Sequence, residues 1–269
     1  MKFLFSILVF LFSFSAFAQE NLLRPPAQHE WRALSQDLEI LELGTDESGI
    51  FSSKVLFLRS ALKQHRVVVT RAKDFSFQKA TVRALAKKQN AVLTINANFF
   101  DPKSNPLGIV VHRGIVFNNL HRGGNVLTGV FQVKDTGLSI IPRNKFSLEG
   151  ILEAVQSGPR LIYNGREVDG LKQSQETSRR AGVCIDNIGR VVFFCTNSGF
   201  IGLSLEQLQK LLLRPEIQCK DALNLDGGGS AQMYIKYNGE SSQDQSLSLF
   251  IPGRDEVPVA LSLIEKEDA

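Results

Sequence analysis

Histidine and cysteine are scarce in this sequence, with four and three among 269 residues. The three cysteines, Cys184, Cys195 and Cys219, show no C-x-x-C or other metal-ligand spacing. Two arrangements stay open for them. An odd count in an exported chain fits one disulfide plus a free thiol, and their apolar surroundings fit buried free thiols equally well. Of the histidines, His29 sits near a Pro-Pro linker and His65 in a stretch that reads as an exposed turn. His112 and His121 flank a Gly/Asn-rich region without metal spacing. There is no Gly-x-Ser-x-Gly elbow, which leaves a serine-triad hydrolase unsupported. The P-loop lysine is missing, and no nucleic-acid-binding motif accompanies the scattered Lys and Arg. Internal repeats and low-complexity segments are absent. After the first twenty residues no apolar stretch is long enough to cross a bilayer, which takes about 20 residues.

Those first residues have the parts of an export signal. Lys2 opens the chain, an apolar run extends from Phe3 to Phe12, and Ala16-Phe17-Ala18 has the small-x-small form of a cleavage site. The expected organisation is a signal peptide over residues 1–18 and one domain over 19–269. The product would be periplasmic or secreted from a bacterium, soluble and without stable membrane insertion. A formal charge of +4 and a pI near 9.0 read as solvated surface that would also favour an anionic substrate, with no nucleic acid as partner.

The pattern predicts an α+β fold: a strand-rich single domain with a few helices packed on twisted sheet. Strands are expected at Ile50–Leu58, Arg66–Thr70, Ala91–Asn96, several between Gly108 and Ile141, and at Leu161–Tyr163 before an Asn164-Gly165 turn. A hairpin joins Val183–Ile185 to Val191–Cys195, and further strands cover Ala222–Leu225, Met233–Tyr237, Leu247–Ile251 and Val257–Ile264. Helices are expected at Phe77–Gln89, at Leu148–Val155 and after Ser204, where Ser204 and Gln207 form a capping box and Pro215 ends the helix.

The stretch richest in chemistry is Asn224-Leu225-Asp226-Gly227-Gly228-Gly229-Ser230. A strand places Asn224 and Asp226 on one face at its end. Three consecutive glycines cost backbone entropy that folding alone seldom demands, and their N–H groups could converge on an oxyanion. Asn96 and Asn98 again follow a short apolar strand, with Phe99 and Phe100 available to stack on a sugar ring. Arg180 stands at a strand entry, where a guanidinium can grip phosphate. Ser157 and Gly158 form a polar turn before Arg160. Each of these also has a plain structural reading as a turn or a solvated loop.

Taken together these blocks resemble the phosphodiester glycosidase family. Leu225 to Ser230 is similar to its signature, Asn96 to Phe100 with Pro106-Leu107-Gly108 to its Asn/Gly-rich block, Ser157-Gly158-Pro159 to a middle block, and Arg180 to Val183 to a strand start. The likeness covers roughly residues 91–264. Departures are Asn98, where many members carry Gly, and Ala231, where a second Ser or Thr is usual. The resemblance implies hydrolysis of a sugar-1-phosphodiester, in a phosphorylated sugar or glycan polymer. Arg180 and the Gly227–Gly229 amides would take phosphate and Asp226 would act as base or nucleophile. Asn96, Asn98 and Asn224 would hold the sugar and orient Asp226, with Ser157 or Ser230 in support. No cofactor is required, though Ca²⁺ or Mg²⁺ would suit Asp226. The alternative is a non-catalytic protein that binds a glycan or the cell envelope through the same pocket.

Overall fold

The computed structural model describes residues 30–44, 53–171, 176–197, 202–238 and 247–266. The signal-peptide residues, His29 and the start of the expected Ile50–Leu58 strand lie outside the described residues. Strands dominate. Among the described residues they form three antiparallel sheets, accompanied by two eight-residue α-helices, Val82–Gln89 and Leu205–Leu212. The fold is mainly β, and α+β describes it only loosely.

In the first sheet the strand order is Arg32–Ala33, Leu38–Gly44, Lys54–Ser60, Val191–Thr196, Ala181–Asp186, Cys219–Asn224, Arg160–Tyr163 and Arg166–Glu167. The second runs Ile115–Asn118, Val110–His112, Glu153–Ser157, Gly129–Lys134 and Gly137–Pro142. The third runs Leu247–Ile251, Met233–Tyr237, Leu93–Asn96, Val259–Glu265 and His65–Arg71.

In the inner strands of the first and third sheets the unbroken apolar runs have a simple cause: both faces are covered. In Lys54–Ser60, Leu56 and Leu58 point into a central core shared by all three sheets, while Val55 and Phe57 join an outer cluster under Leu208, Leu211 and Leu212 of the second helix. In the third sheet Val67 and Val69 face the centre, and Val68 packs with Val82 and Leu85 of the first helix. The period-2 alternation of side chains thus separates two apolar layers. Cys184 and Cys219 form a disulfide between neighbouring strands, and Cys195 is buried and free, its thiol pushed up to about 12 by burial. Of the two arrangements open from sequence, the bridge with one free thiol is the one present.

Three expectations need correction. Leu148–Val155 is not a helix. Glu153–Ser157 is the middle strand of the second sheet, buried throughout, while Leu148 and Leu152 are exposed. Its apolar spacing fits either period, and pairing on both sides decides in favour of a strand. The first helix starts at Val82, because Thr81 caps it by accepting from the Ala84 amide, whereas Ala80 bridges Val257. His65 is fully buried, its Nδ1 lying 2.7 Å from Asp37 Oδ2. Glu153, also buried, accepts from the Val69 amide at 2.9 Å and lies 3.0 Å from His112 Nδ1, joining the second sheet to the third.

Candidate active site

One strand from each sheet ends at a common junction, and the terminal residues are Asn96, Ser157 and Asn224. Asn96 Nδ2 donates to the Asp226 carbonyl at 2.7 Å, and its Oδ1 accepts from the Gln232 amide at 3.0 Å. Asn98 Nδ2 reaches the carbonyls of Gln156 at 2.9 Å and Ile109 at 3.2 Å. Asn224 Nδ2 donates to the Gly158 and Leu225 carbonyls at 2.9 and 2.7 Å. The Asp226 amide in turn donates to Ala97 O at 3.0 Å. The three carboxamides knot the sheets together. As sugar contacts, the role expected from sequence, they are badly placed, with exposures of 0, 1 and 2 % for Asn96, Asn98 and Asn224. What they do hold is backbone, Asn96 that of Asp226 itself and Asn224 that of Leu225 just before it. Ser157 is also fully buried, and its Oγ, like the Oδ1 atoms of Asn98 and Asn224, has no hydrogen-bond partner.

Asp226 follows the last strand residue by two positions and is only partly exposed. Burial raises its pKa to about 6, working against hydrogen bonds from the Ser230 side chain and the Gly227 amide, with a smaller push from Asp255. A carboxyl poised near neutrality suits proton transfer at physiological pH. Each glycine after it has its own reason. A Cβ on Gly227 would stand 2.8 Å from the Arg179 carbonyl, Gly228 has φ +56°, and a Cβ on Gly229 would collide with the Asp255 carboxylate. The amides do not converge as a nest: the Gly227 N–H is turned to the Asp226 carboxyl, and the Gly228 N–H donates to Arg179 O at 2.9 Å.

Arg180 is brought to the same loop. Its Nε donates to Leu203 O at 2.9 Å and its Nη2 to Glu176 O at 3.1 Å. Nη1 is left over, 4.0 Å from where a Cβ on Gly227 would sit. Burial lowers the Arg180 pKa, yet a guanidinium starts so high that it stays charged. Two residues further, Gly182 leaves room for the Phe194 ring of the paired strand. Gly158 is likewise needed for space, since a Cβ there would strike the Val126 carbonyl. Phe100 is directed elsewhere. It packs beside the first helix, its ring 5.6 Å from the Lys79 ammonium. Among the described residues no group of three His, Cys, Asp or Glu side chains is arranged to hold a metal.

A sequence-family model for phosphodiester glycosidase matches residues 89–262. The chain belongs to the phosphodiester glycosidase family. The match takes in all four blocks and most of each sheet, and the family's activity is hydrolytic. The catalytic domain of zebrafish N-acetylglucosamine-1-phosphodiester alpha-N-acetylglucosaminidase, auto-inhibited by its pro-peptide, is similar in fold, with 20% identity, 89% of each chain covered and a TM-score of 0.61. A hypothetical protein from Synechocystis shares 16% identity over 86% of this chain and 63% of its own, with a TM-score of 0.58. No curated protein matches in sequence. At these identities the solved structures bear on the fold alone. The phosphodiester glycosidase signature thus sits where three sheets meet. One acidic residue beside it, Asp255, escapes a reading of the sequence; the only local signal is Gly253 in an otherwise ordinary polar loop.

Proposed function

We propose that this phosphodiester glycosidase is an exported hydrolase that cleaves the glycosidic bond of a sugar-1-phosphodiester in a cell-envelope or extracellular glycan. The observation that carries this reading is Asp226: a partly buried carboxyl with its pKa raised to about 6, held by Ser230 and Gly227 in a loop that the Arg180 guanidinium reaches at Gly227. A phosphate monoester leaves readily, so the reaction asks less of a general acid than ordinary glycoside hydrolysis does. Its demands are a cation for the leaving phosphate and a base or nucleophile at the anomeric carbon. Arg180 Nη1 supplies the first and Asp226 the second. Atoms balance simply: water adds across the C1–O bond, the sugar keeps the hydroxyl, and the phosphate oxygen takes the proton. Export is supported by the signal-like first 18 residues and by the Cys184–Cys219 disulfide, a bond typical of oxidising compartments.

The test is turnover of a panel of sugar-1-phosphate diesters, comprising UDP-N-acetylglucosamine, aryl phosphodiesters and a wall-polymer extract, by wild type and Asp226→Asn. Release of free sugar by the wild type alone supports the reading. Tight binding with no turnover by either protein would favour a binding module.

A further inference from the structure

The loop from Asp226 to Ser230 is flanked by opposite charges at its two ends. At Gly227 stands the Arg180 guanidinium with its free Nη1. At Gly229 stands Asp255, whose carboxylate occupies the space a Cβ would need. That placement is built rather than incidental. The Arg254 and Asp255 amides both donate to the Gly229 carbonyl, at 2.7 and 3.1 Å. Gln232 Nε2 donates to the Asp255 carbonyl at 2.7 Å, and Arg179 Nη2 to the Pro252 carbonyl at 2.7 Å. Gly253 is required for the same docking, since a Cβ there would sit 2.8 Å from Gln232 Nε2 and 2.9 Å from Gly229 O. Yet among the described residues the Asp255 carboxylate itself, on an exposed residue, takes no hydrogen bond and no ion pair. The backbone around it is fixed and its charge is left open.

Resting on the reading of the site given above, we propose that Asp255 is a second functional carboxylate and faces the sugar, so that the loop orients its substrate with phosphate at the Gly227–Arg180 end and sugar at the Gly229–Asp255 end. The chemistry favours this direction. A phosphodiester carries negative charge and is repelled by Asp255 but attracted by Arg180. Sugar hydroxyls are donors that an unpaired carboxylate accepts, and the anomeric carbon gains positive charge as the C1–O bond lengthens. A carboxylate on that side stabilises the transition state more than the ground state, which places its effect in kcat.

Two measurements decide it, each on the full mature chain after circular dichroism has established folding. The first is binding of inorganic phosphate, followed by calorimetry, to wild type, Arg180→Gln and Asp255→Asn. Arg180→Gln should weaken binding about tenfold or more, while Asp255→Asn should bind as tightly as wild type or a few-fold tighter. Should Arg180→Gln fail to fold, Arg180→Lys takes its place and should still weaken binding. Loss of phosphate on removing Asp255, or no phosphate binding by wild type, overturns the proposal. The second is turnover: Asp255→Asn should lower kcat roughly 10- to 100-fold with KM little changed, and Gly229→Ala, which displaces the carboxylate without removing it, should do the same. An unaltered kcat in Asp255→Asn also overturns it. If wild type hydrolyses nothing in the panel, the glycosidase reading fails on its own, and the phosphate measurement still decides the polarity of the loop.

Discussion

Two carboxyls in this protein, the buried Asp37 and the partly buried Asp226, have been pushed in opposite directions. Burial raises both. At Asp37 it is overcome by the bond to His65 and by the amides of Lys63 and Gln64, and the carboxyl ends below its ordinary value. Ser60 Oγ adds a further donor at 3.2 Å. Among the described residues Asp226 is offered the Ser230 hydroxyl and the Gly227 amide, with a like charge nearby, and ends near 6. Burial alone does not decide which way a carboxyl shifts; the donors provided against it do. Linkage gives the two opposite consequences for stability. Asp37 contributes stability that is present above the ordinary carboxylate range and is lost as pH falls through its lowered value. For Asp226 the folded state holds the proton more tightly than the unfolded state, so its contribution is full at low pH and is lost as pH rises to about 6.

The comparison can be broken most directly at Asp226. Asp226→Asn should cut turnover by about a thousandfold or more while the fold persists at pH 7, read as initial rates alongside a thermal melt. Retained turnover would remove Asp226 from the mechanism. The converse substitution, His65→Ala, removes the 2.7 Å partner of the Asp37 carboxylate and leaves it to Ser60 and the Lys63 and Gln64 amides. It should cost about 1–3 kcal/mol in urea unfolding, with turnover per folded molecule unchanged. A drop in specific activity there would mean that the two acids are not independent. Between them lies the pH profile: kcat/KM should climb with pH through a midpoint at about 6 as Asp226 loses its proton. A profile that falls through that pH would recast Asp226 as an acid. The smallest effect is expected of Ser230→Ala. That change removes a bond that lowers the Asp226 pKa, so the midpoint should move upward; a downward shift would show that the hydroxyl bonds the protonated form.

Much of this arrangement is legible in the sequence, and the illegible part has a pattern. Most strand positions, the Asn164-Gly165 turn, the Ser204–Gln207 capping box and the glycine-rich loop follow from neighbours within a few residues. The errors fall where distant residues decide. Leu148–Val155 resolves into a turn and a strand only through its partners at Val110–His112 and Gly129–Lys134. His65 reads as a turn residue until Asp37, 28 positions away, is brought beside it. The asparagines are recognisable as important, but their partners lie 130, 58 and 66 residues off, and only the fold shows that they grip backbone. Asp255 gives the least warning of all, because its significance resides in a collision with a side chain that Gly229 does not have.

The junction also has a bearing on how the protein comes together. Asp226 is anchored through its own amide and carbonyl to the strand end at Asn96 and Ala97, and Asn224 just before it is anchored to the turn at Gly158. No single sheet can therefore assemble the proposed catalytic carboxyl. A chain with two sheets docked and the third still loose would have most of its secondary structure and none of its chemistry. Recovery of turnover during renaturation would therefore clock the last sheet to arrive, and a fragment or a permuted chain that opens any one of the three would be silent however well folded the remainder.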